Sequence, residues 1–246
     1  MNEGRSLVSP KRVTLILALV VLCLFIAGIV SNFVWDFQCL KGNPDAGLFA
    51  ELFFLNSEGN IPAFFSVFTL LLCSALLAII AFAKKKEDAP YRLHWKALSI
   101  IFLFMSLDDV AQLHEKTIEP LRSALNAGGF LYFTWVILGI VFSIIVLLAY
   151  LRFLADLPRK SRNLFLVAGA IFVGGALGME MISAYYFSLY VDLPSLPHLR
   201  VCHVQFYYQM ISTVEELLEM LGIVVFIYAL MSYISLHVKD RLTLIE

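Results

Sequence analysis

The stretch VTLILALVVLCLFIAGIVSNFVW, from Val13 to Trp35, carries no charged side chain. As a helix rising about 1.5 Å per residue, it is long enough to cross the roughly 30 Å hydrocarbon core of a bilayer. The apolar core of a signal peptide is shorter, and Ser31-Asn32-Phe33 is a poor cleavage site. The segment therefore reads as an uncleaved span. Five more stretches of this kind follow, over about 61–83, 94–119, 130–151, 164–190 and 205–236. The third is apolar only as far as Met105, then polar, with no helix breaker before Pro120.

The expected fold is all-α: a polytopic integral membrane protein, a six-transmembrane-helix bundle forming a single transmembrane domain over residues 1–246. Composition agrees. Of 246 residues, 61% are hydrophobic and 15% charged, against about 45–50% and about 25% in soluble domains. Mean hydropathy is +0.85. So few charges exclude a soluble enzyme and a disordered regulator, and a net charge of -1 speaks against a nucleic-acid partner. The partner that the composition implies is the lipid bilayer.

The cations give the orientation. Arg5, Lys11, Arg12, Lys84, Lys85, Lys86, Arg92, Lys96, Arg152, Arg159, Lys160, Arg162, Lys239 and Arg241 fall on one side. Lys41, Lys116, Arg122 and Arg200 fall on the other. Both termini are expected to be cytoplasmic, with residues 36–60, 113–129 and 191–204 outside. Trp35, Trp95 and Trp135 fall near the expected interfaces. Ala46–Leu55, inside the first outer loop, reads as an interfacial or re-entrant helix. No internal repeat points to an inverted-repeat transporter.

Acids inside spans are expensive and by default mark function. Asp108 and Asp109 lie in the third span, followed by Gln112, His114 and Glu115. Glu180 lies in the fifth, after Gly174, Gly175 and Gly178. Glu215, Glu216 and Glu219 lie in the sixth. At the helical rise, Asp108 is about 21 Å and Glu180 about 24 Å from the inner face, and Glu215 about 15 Å below the outer one. Three helices thus place acids at similar depth, in the middle-to-outer half of the membrane. On a continuous helix Asp108, Gln112 and Glu115 share a face, as do Glu215 and Glu219. The glycines are expected to bring the fifth helix close to a neighbour, carrying Glu180 toward the other acids.

Several bare carboxylates cannot stay ionised together in a low dielectric. Shared protons, water or a multivalent cation must resolve them. Hard oxygen donors with one imidazole suit a divalent metal ion. Asp108, Glu115, Glu180, Glu215 and Glu219 are the candidate ligands, and His114 and Glu216 the candidate catalytic groups, as general base or supporting partner. Glu58, Asn60, Asp109, Gln112 and His203 are candidate rim residues. Asn60 also fits a helix N-cap, with Pro62 in the first turn. Interhelical glue, or a solvated vestibule, is the alternative reading of the acids. Cys39 and Cys202, both in expected outer loops, are candidates for a disulfide, whereas Cys23 and Cys73 read as packing residues. Tyr185, Tyr186, Tyr190, Tyr207 and Tyr208 gather at the outer ends of the last two spans, as an aromatic belt or as the lining of an access route for an amphipathic ligand.

Three segments, Ser57-Glu58-Gly59-Asn60-Ile61-Pro62, Ser106-Leu107-Asp108-Asp109 with His114-Glu115, and Glu215-Glu216 with Glu219, resemble a family of bacterial multi-spanning membrane proteins with no assigned reaction. That family's pattern has Asp-Glu where this chain has Asp108-Asp109. The resemblance runs from the second span to the sixth and implies the bacterial cytoplasmic (inner) membrane. A more distant likeness is to intramembrane hydrolases of the alkaline ceramidase type, which use several histidines and an Asp; here only His114 is close to the acidic helices. Three functions compete: a metal-dependent intramembrane enzyme acting on a lipid-like substrate from the outer leaflet, a cation or proton-coupled transporter, and a structural or accessory subunit of a membrane complex, with an oligomer or partner subunit covering apolar helix faces.

Overall fold

The computed structural model describes residues 9–43, 45, 47–85, 90–190 and 197–238. Ala46, residues 191–196 of the expected outer loop, and Arg5, Lys86, Lys239 and Arg241 of the cation count lie outside the described residues.

Among the described residues every regular element is helical. In order these are α1 (Pro10–Leu40), α2 (Gly47–Phe53), α3 (Ile61–Lys85), α4 (Arg92–Ala111), α5 (Ile118–Leu125), α6 (Trp135–Asp156), α7 (Arg159–Val173), α8 (Glu180–Ser188) and α9 (His198–His237). Short 3₁₀ turns cover Glu115–Thr117 and Gly129–Leu131, and a π-helical turn over Gly174–Met179 joins α7 to α8. Five helical stretches are long and apolar enough to cross a membrane, with α7, the π-turn and α8 forming one of them. The count rises to six if α4 and the bent segment after it are one span.

The bundle is built around α9. Half of its most apolar window is buried, against 17% for α1 and for α6. It packs on α1, α3, α7, α8 and the π-turn. At 40 residues it is about 60 Å long, well beyond a bilayer core. It begins at His198, so His198, Cys202 and His203 are helical and not in a loop as expected; Pro197 at the N-cap starts the helix early. Toward its C-terminal end α9 makes the core with Leu77, Ile80, Phe153 and Phe165, through Met220, Ile223, Val224, Ile227 and Leu230. Trp95, expected at an interface, is instead 2% exposed. Its ring packs on Phe153, Phe165 and Tyr233, because side chains of α6, α7 and α9 converge on it. The outer faces of α1 and α6 stay apolar and exposed, as at Ile16, Leu22, Ile145 and Leu148, which suits contact with hydrocarbon.

Polar clasps fix the register. Ser74 Oγ donates to the Ser99 carbonyl at 2.8 Å, and Ser99 Oγ donates back to the Ser74 carbonyl at 2.9 Å. These bonds hold α3 against α4. Asn32 on α1 is 1% exposed and donates to Thr213 Oγ1 on α9 at 2.8 Å. Farther along the same pair of helices, Cys39 and Cys202 form a disulfide, with Cα atoms 5.8 Å apart. The expected bridge is therefore made. The expected short helix of the first outer loop is α2, with Leu48 and Phe49 exposed and Ala50 buried.

Two spans depart from a straight rod. The third, expected over 94–119, ends at Ala111, and the chain turns by 71° into the segment 115–125. Gln112 takes a left-handed conformation at φ 51°, its N–H bonded to the Asp108 carbonyl at 2.7 Å. The fifth, expected over 164–190, is interrupted by the π-turn, which ends immediately before Glu180. Extra-residue turns of this kind break the regular ladder and recur at functional sites.

Candidate carboxylate and histidine site

The turn after α4 assigns Asp108 a role that sequence spacing missed. One Asp108 oxygen accepts the His114 backbone N–H at 3.1 Å. The other lies 2.7 Å from His114 Nδ1. An ionised carboxylate can only accept, so Nδ1 is the donor in this pair. Asp108 was expected to ligate a metal on the same face as Gln112 and Glu115. The left-handed turn at Gln112 breaks that face, and both Asp108 oxygens are committed to orienting His114. Glu115 is exposed and belongs to the mouth of the site, not its centre.

The π-turn and α9 form the other wall. A Cβ built on Gly175 would lie 3.0 Å from the Glu215 carbonyl oxygen, 3.0 Å from Leu218 Cβ and 3.1 Å from the Glu219 nitrogen. Only a glycine lets the two backbones approach this closely. The sequence pointed to three glycines, but at Gly174 and Gly178 a Cβ would meet open space. Gly175 alone makes the contact, because the π-turn rotates the other two away from α9.

That approach sets Glu180 and Glu215 on facing walls, close enough for the charge of one to act on the other. Glu180 Oε1 accepts the Trp135 indole N–H at 2.8 Å, and Ser183 Oγ lies 3.4 Å from Oε2. Glu215 is 8% exposed, and its Oε2 is buried without a hydrogen-bond partner. Two facing carboxyl groups need something between them, a shared proton or a cation. Glu219 and Glu216 also sense the charge of this pair, and beyond them stand Asp109 and Glu58. Asp109 Oδ2 is likewise buried without a partner. Glu216, Glu219, Asp109 and Glu180 are half-buried, as walls of a crevice would be.

Glu58 lies outside the spans, beside Gln112, His114 and Glu115. Partial burial, and after it the charge of Glu115, hold its carboxyl above the usual range. Asn60 is spent on structure: its Oδ1 caps α3 by accepting the Ala63 N–H at 3.1 Å, and its amide donates to the Phe54 carbonyl. His203 is exposed and lies twelve residues, about 18 Å of helix, from Glu215, so it does not join the acids. Among the described residues the one trio whose donor atoms all fall within 4.8 Å is Cys39, His198 and Cys202. Its sulfurs are bonded to each other, which removes both as metal ligands. The acids meet pairwise, and a cation at Glu180 and Glu215 would be completed by water or by closure of Glu219.

Residues 13–234 match the family described as a domain of unknown function, DUF8692. The chain belongs to that family. The DUF8692 match takes in the long apolar helices, apart from the first residues of α1 and the last of α9, and every acid described above. No curated protein and no solved structure matches the chain.

Asn32 escaped the sequence reading, and Trp135 and Tyr208 were named there only as interfacial or access-lining aromatics. Trp135 was read as an interfacial aromatic. It bonds Glu180 and packs its ring 4.8 Å from that of His114, so it joins the two walls. Asn32 fixes Thr213 two residues before Glu215; an amide inside an apolar span was the signal for it. Tyr208, beside Glu180, Glu215, Asn56 and Ser212, covers the acid pair from the outer side.

Proposed function

We propose that this protein holds a divalent cation between α8 and α9, in the middle-to-outer half of the bilayer, and uses it to activate water against a lipid-like substrate. The observation that carries this reading is the facing pair Glu180 and Glu215, with Glu215 Oε2 buried and unpartnered. Glu180, Glu215 and Glu219 supply hard oxygen donors. Such an ion lowers the pKa of bound water and polarises an ester or amide carbonyl. His114, its Nδ1 held by Asp108, presents Nε2 as the base that takes the water proton. Glu216 and Asp109 complete the negative lining.

Transport is the weaker reading. Inward from Glu219, the buried face of α9 is Met220, Ile223, Val224, Ile227 and Leu230, close-packed against α3, α6 and α7, which offers a cation no polar path. The orientation that fits has both termini in the cytoplasm of a bacterial cell, within the inner membrane. The cation bias supports it, and so does a disulfide at the opposite end, where an oxidising compartment preserves it.

The test is elemental analysis of the purified chain in detergent, wild type beside Glu180→Gln and Glu215→Gln. Near-stoichiometric divalent metal, lost in both variants while they still melt cooperatively, is the expected result. Wild type that takes up no metal from a metal-replete buffer overturns the proposal and leaves a shared proton between the two carboxyls.

A further inference from the structure

Outward of the acids, α8 and α9 part to leave a cavity of about 420 Å³, lined by Tyr186, Tyr190, Arg200, His203, Val204 and Tyr207. Its chemistry is opposite to that of the acid site. Among the described residues no carboxylate lines it. Arg200 makes no ion pair among the described residues, and its guanidinium presents a planar fork of donors. The tyrosine hydroxyls can donate as well. Arg200 and His203 sit on the first two turns of α9, whose 40-residue length gives that end the positive pole of a long helix dipole.

We propose that this cavity binds the phosphate-bearing headgroup of a phospholipid from the leaflet that faces it. Three features favour a lipid over a free anion. The volume is that of a small-molecule site and exceeds what a bare phosphate needs. The walls are aromatic, with Tyr186 and Tyr190 rings 5.3 Å apart, so they accept the glycerol and first methylenes. Tyr207 is 58% exposed, at the level where amphipathic rings meet headgroups. Tyr186 is six residues from Glu180, and Tyr207 eight from Glu215, about 9 Å and about 12 Å along the same two helices. Arg200 itself is fifteen residues, about 22 Å of helix, from Glu215, so a phosphate held there is well separated from the acid pair. Headgroup binding stands on the cavity alone; its use in catalysis rests on the proposed cation centre.

The experiment measures binding to the purified full-length chain in a phosphate-free detergent with chelator present, so that no cation is needed. The probes are dihexanoyl phosphatidylglycerol, dihexanoylglycerol and inorganic phosphate, titrated against wild type, Arg200→Gln, Arg200→Lys and Glu215→Gln. The expected result is saturable binding of the phospholipid, at least tenfold weaker with dihexanoylglycerol, with inorganic phosphate and with Arg200→Gln. Arg200→Lys should recover part of the loss, and Glu215→Gln should bind as wild type does. Equal affinity for the phosphate-free diacylglycerol overturns the proposal, as does unchanged binding in a well-folded Arg200→Gln. Inorganic phosphate that binds as tightly as the phospholipid also overturns it, in favour of a free-anion site. Failure of the cation centre appears separately, as wild type without metal that still binds the phospholipid.

Discussion

The two halves of α9 are held in opposite ways. From Met220 to Tyr233 the helix is packed by aliphatic and aromatic side chains, and Ile227, Ala229 and Leu230 are wholly buried. From Gln209 to Glu219 it is held by polar pairing: Asn32 to Thr213, Trp135 to Glu180, and Glu180 against Glu215. Among the described residues, three of the four buried side-chain oxygens without a partner lie on this half or face its acids, at Gln209, Glu215 and Asp109. The fourth is on Asp36 of α1, one turn beyond Asn32. Departures from good packing are expected where a protein works. The comparison teaches that one end of the helix is held by close packing, while the other carries buried acids that packing leaves unsatisfied.

The sharpest way to break that comparison is a pair of substitutions. Leu230→Ala should cost about 2–5 kcal/mol in stability and leave metal content unchanged. Glu215→Gln should abolish at least nine-tenths of the bound metal and lower stability little, if at all. Denaturant melts beside elemental analysis check both. If Leu230→Ala stays folded yet loses the metal, or Glu215→Gln keeps it, the division of labour is wrong.

Next in size is the disulfide, which ties α1 to the outer start of α9 across 163 residues of chain. Replacing Cys39 and Cys202 by serine should cost about 2–4 kcal/mol. The loss should be seen in chemical denaturation, with Trp135 fluorescence near the acids unchanged in the native state. A shifted native emission would show that the bridge also positions the site.

Gly175→Val should cost about 1–3 kcal/mol by overpacking and reduce metal occupancy, because it pushes the π-turn off Glu215 and Glu219. Gly174→Ala, facing open space, should be neutral or stabilising by under about 1 kcal/mol. Equal effects at the two positions would refute the assignment of the close approach to Gly175.

The smallest effect is at the mouth. Glu58 holds its proton more tightly folded than its ordinary value of 4.5 allows. The folded chain then binds more protons than the unfolded one above that value, so this residue's contribution is best below pH 4.5 and is lost as pH rises beyond it. Melting temperatures from about pH 4 to about pH 7 should fall less steeply for Glu58→Gln than for wild type. Parallel slopes would remove Glu58 from the electrostatics of the site.

The spans were legible because hydropathy sums locally over a length that bilayer thickness sets. The acids were legible as anomalies within apolar stretches, and Cys39 and Cys202 as the two cysteines outside the spans. Their partners were not. Asp108, Gln112 and Glu115 share a stripe only on an unbroken helix, and the left-handed turn at Gln112 is decided by how Asp108 closes on His114. Of three glycines with equal claims, the π-turn selects Gly175. Trp135 meets Glu180 across 45 residues, and Asn32 meets Thr213 across 181. The sequence by itself determined an all-α chain of helices long and apolar enough to cross a membrane, with acids set inside several of them, because hydropathy sums along each segment separately. Only the tertiary structure decided which acids face one another, because that depends on the rotation and approach of neighbouring helices, and no periodicity along a single helix contains it.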